Sequence, residues 1–202
     1  MNKIDLLFIV DITGSMGGFI ADAQKRIKGI LDDLTKQFEL DLRVGLSLYK
    51  DHASQGDPYV TATFKLDTVD ATKAIIDQIQ VGVGGDVPES VLDGIIDGIE
   101  AMEWREGSRR IAFLIADAPA HGMIDGEFEC QCGKTPGEAI IAASKNGVIL
   151  YSVLLGNNQE AQDNLKTLAV FTGGSFIKTE DAISAISDTL KMTLEDSMIK
   201  RE

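Results

Sequence analysis

Two apolar runs, Leu6–Val10 and Ile111–Ala116, each end at an aspartate, Asp11 and Asp117. Runs that are apolar on both faces predict strands buried on both sides, as in a parallel sheet covered by helices. The first strand is predicted over Ile4–Val10 and another over Ile111–Ala116. Between them the period changes. Ile20, Ala23, Ile27, Ile30, Leu34 and Phe38 recur at three- and four-residue steps, which predicts a long helix with one apolar stripe. Leu42–Leu48 and Tyr59–Phe64 alternate as strands. The turn-rich Gln55-Gly56-Asp57-Pro58 between them predicts an antiparallel hairpin. Helices follow near Ala71–Ile79 and from about Pro88 to Met102.

Beyond the second run the pattern predicts a helix over Pro136–Lys145, a strand over Val148–Leu154 and a helix around Glu160–Phe171. Gly173-Gly174 opens a short strand, Ser175–Lys178, and Asp181–Met198 closes the chain as a helix. Strands alternating with helices predict a doubly wound α/β sheet, mostly parallel, with one antiparallel edge. No repeat, low-complexity tract or linker divides the pattern, so residues 1–202 are expected to form a single domain.

Composition narrows the function classes. The 32 acidic against 19 basic residues give a formal net charge of −13, which disfavours nucleic acid and anionic membrane surfaces as partners. No stretch reaches the length of a membrane span. Leu6–Val10 is too short for a signal-peptide core and is bracketed by Asp5 and Asp11, so cytoplasm is the expected compartment. Cys130 and Cys132 are the only cysteines, and their C-x-C spacing is not a disulfide framework. Reduced thiols are expected; a zinc site using them with His121 would need a further ligand.

Doubly wound sheets bind ligands beyond the carboxyl ends of their strands, where the strand order reverses. If the strands ending at Asp11 and Asp117 flank that reversal, they lie about 4.8 Å apart and the carboxylates converge. Like charges held so close are relieved by a divalent cation. Thr13 and Ser15 follow Asp11 at alternate positions, and Gly14, Gly17 and Gly18 bend the backbone toward the first helix. A carboxylate and two hydroxyls are hard ligands, suited to Mg²⁺ or Ca²⁺. Simpler roles exist for each residue: Asp11 near a helix N-terminus, Ser15 as its N-cap.

Gly84-Gly85-Asp86-Val87-Pro88-Glu89 carries two readings. Structurally, Asp86 is an N-cap, Pro88 stands in the first turn and Glu89 is a capping-box partner. Functionally, Asp86 lies near the metal, bound directly or through water. Asp51 and His52 end the second strand on the same edge, as exposed loop residues or as groups supporting the rim, and Glu89 and His121 are further rim candidates. The long segment Ala118–Thr135, with Asp125, Glu127 and Glu129, is where partner choice is expected to be set.

Four segments in order resemble von Willebrand factor type A (VWA) domains: the Asp11-Thr13-Ser15 turn, Arg43–His52, Gly84–Glu89 and Ile115–Gly122. The Gly-Gly-Asp-x-Pro-Glu and Asp-Ala-Pro-x-His-Gly segments are similar to the intracellular and hemicentin-like branch. The resemblance implies strand order 3-2-1-4-5-6 and a metal-ion-dependent adhesion site (MIDAS) holding one Mg²⁺, with Mn²⁺ or Ca²⁺ able to substitute. It further implies a protein partner bound at the metal through an acidic side chain, without catalysis. By position, Asp11, Thr13 and Ser15 match the family's first motif, and Asp117 matches the acid after its fourth strand. The threonine of the family's second loop has no counterpart in Gly82–Ser90, and Asp86 is taken in its place. A third carboxylate would lower the ion's appetite for an acidic partner.

Two rival readings remain. A haloacid-dehalogenase-like phosphotransferase would use Asp11 as nucleophile, but Thr13 stands where such enzymes carry a second acid. A phosphate-cradling turn at Thr13–Gly18 lacks lysine and fits neither the P-loop nor the dinucleotide fingerprint.

Overall fold

The computed structural model describes residues 2–52, 59–82, 87–123 and 129–199. β1 (Asn2–Asp11) leads through a short 3₁₀ turn (Gly14–Met16) into α1 (Gly17–Gln37), β2 (Leu40–Tyr49), β3 (Thr61–Asp67) and α2 (Val69–Ile76). Then come α3 (Val91–Ala101), β4 (Arg109–Ala116), α4 (Pro136–Lys145), β5 (Val148–Leu154), α5 (Gln159–Phe171), β6 (Phe176–Lys178) and α6 (Ala182–Ile199). The strands form one six-stranded sheet in the order β3-β2-β1-β4-β5-β6. Among the described residues only the β2–β3 pairing is antiparallel. Topology and the antiparallel edge follow the expectation.

Alternation along β1 explains why it is apolar throughout. Ile4, Leu6, Phe8 and Val10 point into a core shared with α1, α2 and α6, and Leu7 and Ile9 into a second core under α3, α4 and α5. Each face of the strand therefore buries side chains whose removal from water is worth about 1.5–3 kcal/mol apiece. Ile20, Ile27 and Leu34 of the anticipated α1 stripe are buried, and Ala23, Ile30 and Phe38 pack beside them. No helix among the described residues is long and apolar enough to cross a membrane.

Three elements depart from the predicted bounds in ways that have a clear physical cause. α2 stops at Ile76 rather than near Ile79, because Gln78 and Ile79 bond back to Ile75 and Ile76 in tight three-residue turns. β3 begins at Thr61, leaving Tyr59 outside it, and continues to Asp67, since its half-buried alternation runs on through Leu66. α3 begins at Val91, with Ser90 before it, and not at Pro88. Glu89 is held in a parallel bridge to Ala120, its amide donating to the Pro119 carbonyl at 2.8 Å. An extended residue cannot occupy the third helical position, so the capping-box role assigned to Glu89 fails. The Gln55–Pro58 connector lies outside the described residues.

The Gly173-Gly174 pair makes the final crossover. Gly173 adopts φ +81°, and Gly174 passes so close to β5 that an added Cβ would stand 1.9 Å from the Leu150 carbonyl oxygen. Backbone must move to admit it. Gly174→Ala is expected to cost about 1–3 kcal/mol, read as a lower urea midpoint with an unchanged slope; an unaffected midpoint would refute the close approach.

Candidate functional site

β1 lies between two parallel neighbours reached by opposite crossovers, so the crevice between β1 and β4 is where the strand order reverses. Val10 pairs with Ile115, which puts Asp11 level with Ala116 and Asp117 one residue beyond. The two aspartates that end the apolar runs thus meet at one rim.

The turn after β1 organises Asp11. The Thr13 amide donates to Asp11 Oδ1 at 2.8 Å and the Thr13 hydroxyl donates to the same oxygen at 2.6 Å. Thr13 Oγ1 stands 3.3 Å from Ser15 Oγ, so the three side chains form one continuous row of oxygens. Asp11 and Thr13 are buried, while Ser15 is exposed at the mouth. Ser15 does not cap α1: the chain enters that helix through the 3₁₀ turn and Met16, and no side chain caps either element.

The remaining oxygens define the problem. Asp11 Oδ2 and Asp117 Oδ1 are buried and have no hydrogen-bond partner among the described residues. A buried acceptor left unsatisfied costs about 1–3 kcal/mol, more when charged. Burial pushes the Asp11 carboxyl up to about 6; Thr13's two hydrogen bonds pull it down, and the nearby charges of Asp117 and Asp51 raise it again. Behind them lies Tyr49, whose fully buried hydroxyl is pushed well above its ordinary range by burial and by Asp11, Glu89 and Asp117. Its ring is seated by Gly94, where a Cβ would come within 2.5 Å. An all-oxygen set of two carboxylates and two hydroxyls, with two oxygens unsatisfied, has the chemistry of a hard divalent-cation site.

The other anticipated residues fall into separate groups. Asp86 lies outside the described residues, as do Asp125 and Glu127; Glu129 is exposed. Glu89 is buried at the base of the rim, and its backbone joins the loop before α3 to the loop after β4: His121 N donates to the Glu89 carbonyl at 3.0 Å. Of the two readings for Asp51 and His52, exposed loop residues or groups supporting the rim, exposure does not hold: they are half-buried and buried respectively, because residues 118–123 and 129–134 fold over them. Asp51 Oδ1 accepts the His52 amide at 2.6 Å and lies 2.8 Å from His121 Nε2. The two imidazole rings tilt against each other, centroids 4.6 Å apart.

His52 also faces a second cluster. Its Nε2 lies 3.3 Å from Asp93 Oδ2 and 3.4 Å from Cys130 Sγ. The Cys130 thiol donates to Asp93 Oδ2 at 3.2 Å, and Cys132 completes the group. Burial raises the Asp93 carboxyl, yet hydrogen bonds from His52, Cys132 and Cys130 leave it below its ordinary value. Among the described residues the cysteines group with His52 and Asp93, while the His121 ring faces Asp51. Asp93 went unforeseen. Its signal was an acid inside the otherwise apolar Val91–Ile96, which is buried throughout.

With this geometry in place the relatives are informative. Residues 5–125 match the family model of the von Willebrand factor A domain. The alpha-protein kinase vwkA of Dictyostelium discoideum is 35% identical over 152 residues, which is 75% of this chain and 23% of that protein. The chain thus spans under a quarter of this relative's length. The pilus adhesin SpaC of Lactobacillus rhamnosus GG, in its open conformation, superposes with a TM-score of 0.69 at 15% identity, covering 97% of this chain and 30% of SpaC. Proximal thread matrix protein 1 from the mussel byssus, with a zinc-occupied MIDAS motif, gives 0.58 at 16% identity over 96% of this chain and 44% of its own. The sequence match, the strand order and the rim at Asp11 and Asp117 agree: this chain belongs to the von Willebrand factor A domain family.

Proposed function

We propose that this chain is a divalent-metal-dependent protein-binding module, acting as one domain and without catalysis of its own. Asp11, Thr13, Ser15 and Asp117 hold the ion, and Asp86 contributes directly or through water. Mg²⁺ is the resident ion, with Mn²⁺ or Ca²⁺ able to substitute. Mg²⁺ retains several waters when bound by few carboxylates, and one such position is exchanged for an acidic side chain of the partner. The observation that carries this reading is the pair of buried carboxylate oxygens, Asp11 Oδ2 and Asp117 Oδ1, left without donors at one crevice. A cation satisfies both at once. The kinase name belongs to a relative of which this chain spans 23%, and phosphotransfer is not part of the proposal.

Thermal unfolding tests it. A ligand at a hundredfold excess over its Kd stabilises by about 2.7 kcal/mol, a rise in Tm of about 5–10 °C for a chain of this size. Mg²⁺ or Mn²⁺ is expected to give that rise, EDTA to reverse it, and Asp117→Ala to abolish it. A wild-type protein indifferent to both ions would overturn the reading.

A further inference from the structure

We propose that His52, Asp93, Cys130 and Cys132 form a zinc site, distinct from the Asp11–Asp117 centre and independent of whether that centre binds metal. One ligand atom from each of the four lies within 4.8 Å of every other. A tetrahedral zinc ion, with bonds of about 2.0–2.3 Å, spaces its ligand atoms about 3.3–3.8 Å apart. The separations among His52 Nε2, Asp93 Oδ2 and Cys130 Sγ are 3.2, 3.3 and 3.4 Å. These three atoms are already within a few tenths of an ångström of the spacing zinc requires, and Cys132 Sγ lies within 4.8 Å of each of them.

Its chemistry selects the metal. Two thiols and an imidazole are soft or borderline ligands that suit zinc and disfavour Mg²⁺ and Ca²⁺, whereas the all-oxygen set at Asp11 accepts those hard ions. The chain therefore separates hard and soft ligands into two adjacent places. Binding converts both thiols to thiolates and releases two protons to solvent. With the Asp93 carboxylate and neutral His52, the zinc centre then carries one net negative charge. Lys134, two residues after Cys132, supplies a cation beside it, paired with Asp97 one turn along α3 from Asp93.

Local structure supports the ligands. Gly133, at φ +71°, turns the chain so that its amide donates to the Cys130 carbonyl at 2.8 Å, folding Cys132 back toward Cys130. Asp51 accepts the His52 backbone amide at 2.6 Å and places its carboxylate 3.8 Å from the ring Nδ1; zinc at Nε2 would draw these two together, since a carboxylate behind a metal-bound histidine commonly accepts its other ring N–H. The four ligands come from the end of β2, the first turn of α3 and the loop between β4 and α4. Zinc would tie these three segments together beside the proposed partner-binding rim.

The test uses the whole chain, stripped with chelator and reloaded with Co²⁺ as a spectroscopic substitute. Sulfur-to-cobalt charge-transfer absorption is expected at one equivalent and is displaced by one equivalent of Zn²⁺. Cys132→Ser, at an exposed position that leaves the fold intact, is expected to lose most of that absorption and to bind Zn²⁺ at least tenfold more weakly. Asp51→Ala is expected to weaken zinc about 10–100-fold while keeping the thiolate spectrum. Asp117→Ala should leave the spectrum unchanged, which separates this site from a metal held by oxygens. A wild-type chain without charge-transfer absorption, or an undiminished band in Cys132→Ser, overturns the assignment.

Discussion

Asp11→Asn is expected to raise the melting temperature of the metal-free protein and to erase its response to divalent ions. Asparagine keeps an Oδ1 acceptor for the Thr13 amide and hydroxyl. Its amide group replaces the unsatisfied Oδ2 beside Asp117, turning a repulsion into a donor. The size follows from linkage. An unfolded aspartate titrates near 3.9, while burial, with Asp117 and Asp51 adding to it against the hydrogen bonds of Thr13, puts folded Asp11 at about 6. Between those values the folded chain retains a proton that the unfolded chain has released. Metal-free stability therefore falls as pH rises from about 4 to about 6, and the deficit at pH 7 is on the order of 3 kcal/mol.

The asparagine variant escapes that deficit. At pH 7 without metal its Tm should exceed the wild-type value by about 6–12 °C, and the advantage should vanish below pH 4, where Asp11 is protonated in both states. With saturating Mg²⁺ the wild type should recover and the variant should not respond. A variant less stable than wild type at pH 7 without metal, or one that still answers to Mg²⁺, contradicts the site.

The second large effect lies at the opposite end of β1. Asp5 is fully buried, and Arg105 closes a network around it. Arg105 Nε donates to Asp5 Oδ1 at 2.6 Å, and the Arg105 amide and Ser108 hydroxyl donate to Oδ2 at 2.8 and 2.7 Å. The same guanidinium bonds the Ile4 and Asp41 carbonyls and the Asp41 carboxylate. One side chain thus fastens β1, β2 and the approach to β4. Arg105→Ala strands a buried carboxylate without its counter-charge, and breaking such a pair costs about 3–5 kcal/mol. Urea unfolding should show a much lower midpoint with an unchanged slope. Arg105→Lys should restore part of the loss, since an ammonium keeps the charge but not the planar fork. Because the network is remote from Asp11, Mg²⁺ affinity should be the same in both variants; a loss below about 1 kcal/mol in the alanine variant would show that Asp5 needs no cation.

The convergence of Asp11 and Asp117 was legible because it follows from topology. Two runs apolar on both faces must be central parallel strands, and their ends then share a rim whatever the loops do. The period of α1 was equally readable, since one apolar stripe admits one orientation. The start of α3 was not. Asp86, Pro88 and Glu89 are good local capping signals, but the Glu89–Ala120 bridge, a contact between distant segments, takes priority over them. The His52–Asp93–Cys130–Cys132 cluster was hidden for the same reason: its members come from three segments, and only the folded loop over His52 joins them. Asp51 and His52 read as exposed because strand ends usually are, and nothing local announces the cover supplied by residues 118–123 and 129–134.

The bridge that displaced the start of α3 has a mechanical side. Glu89 and Ala120 sit on separate loops, yet Glu89 N to Pro119 O, His121 N to Glu89 O and Ala120 N to Asn164 Oδ1 stitch both loops to each other and to α5. These bonds act in parallel, like rungs. A load hung on either loop is shared by its neighbour and passed to the helix behind, so traction at the lip strains several hydrogen bonds together instead of peeling them one by one.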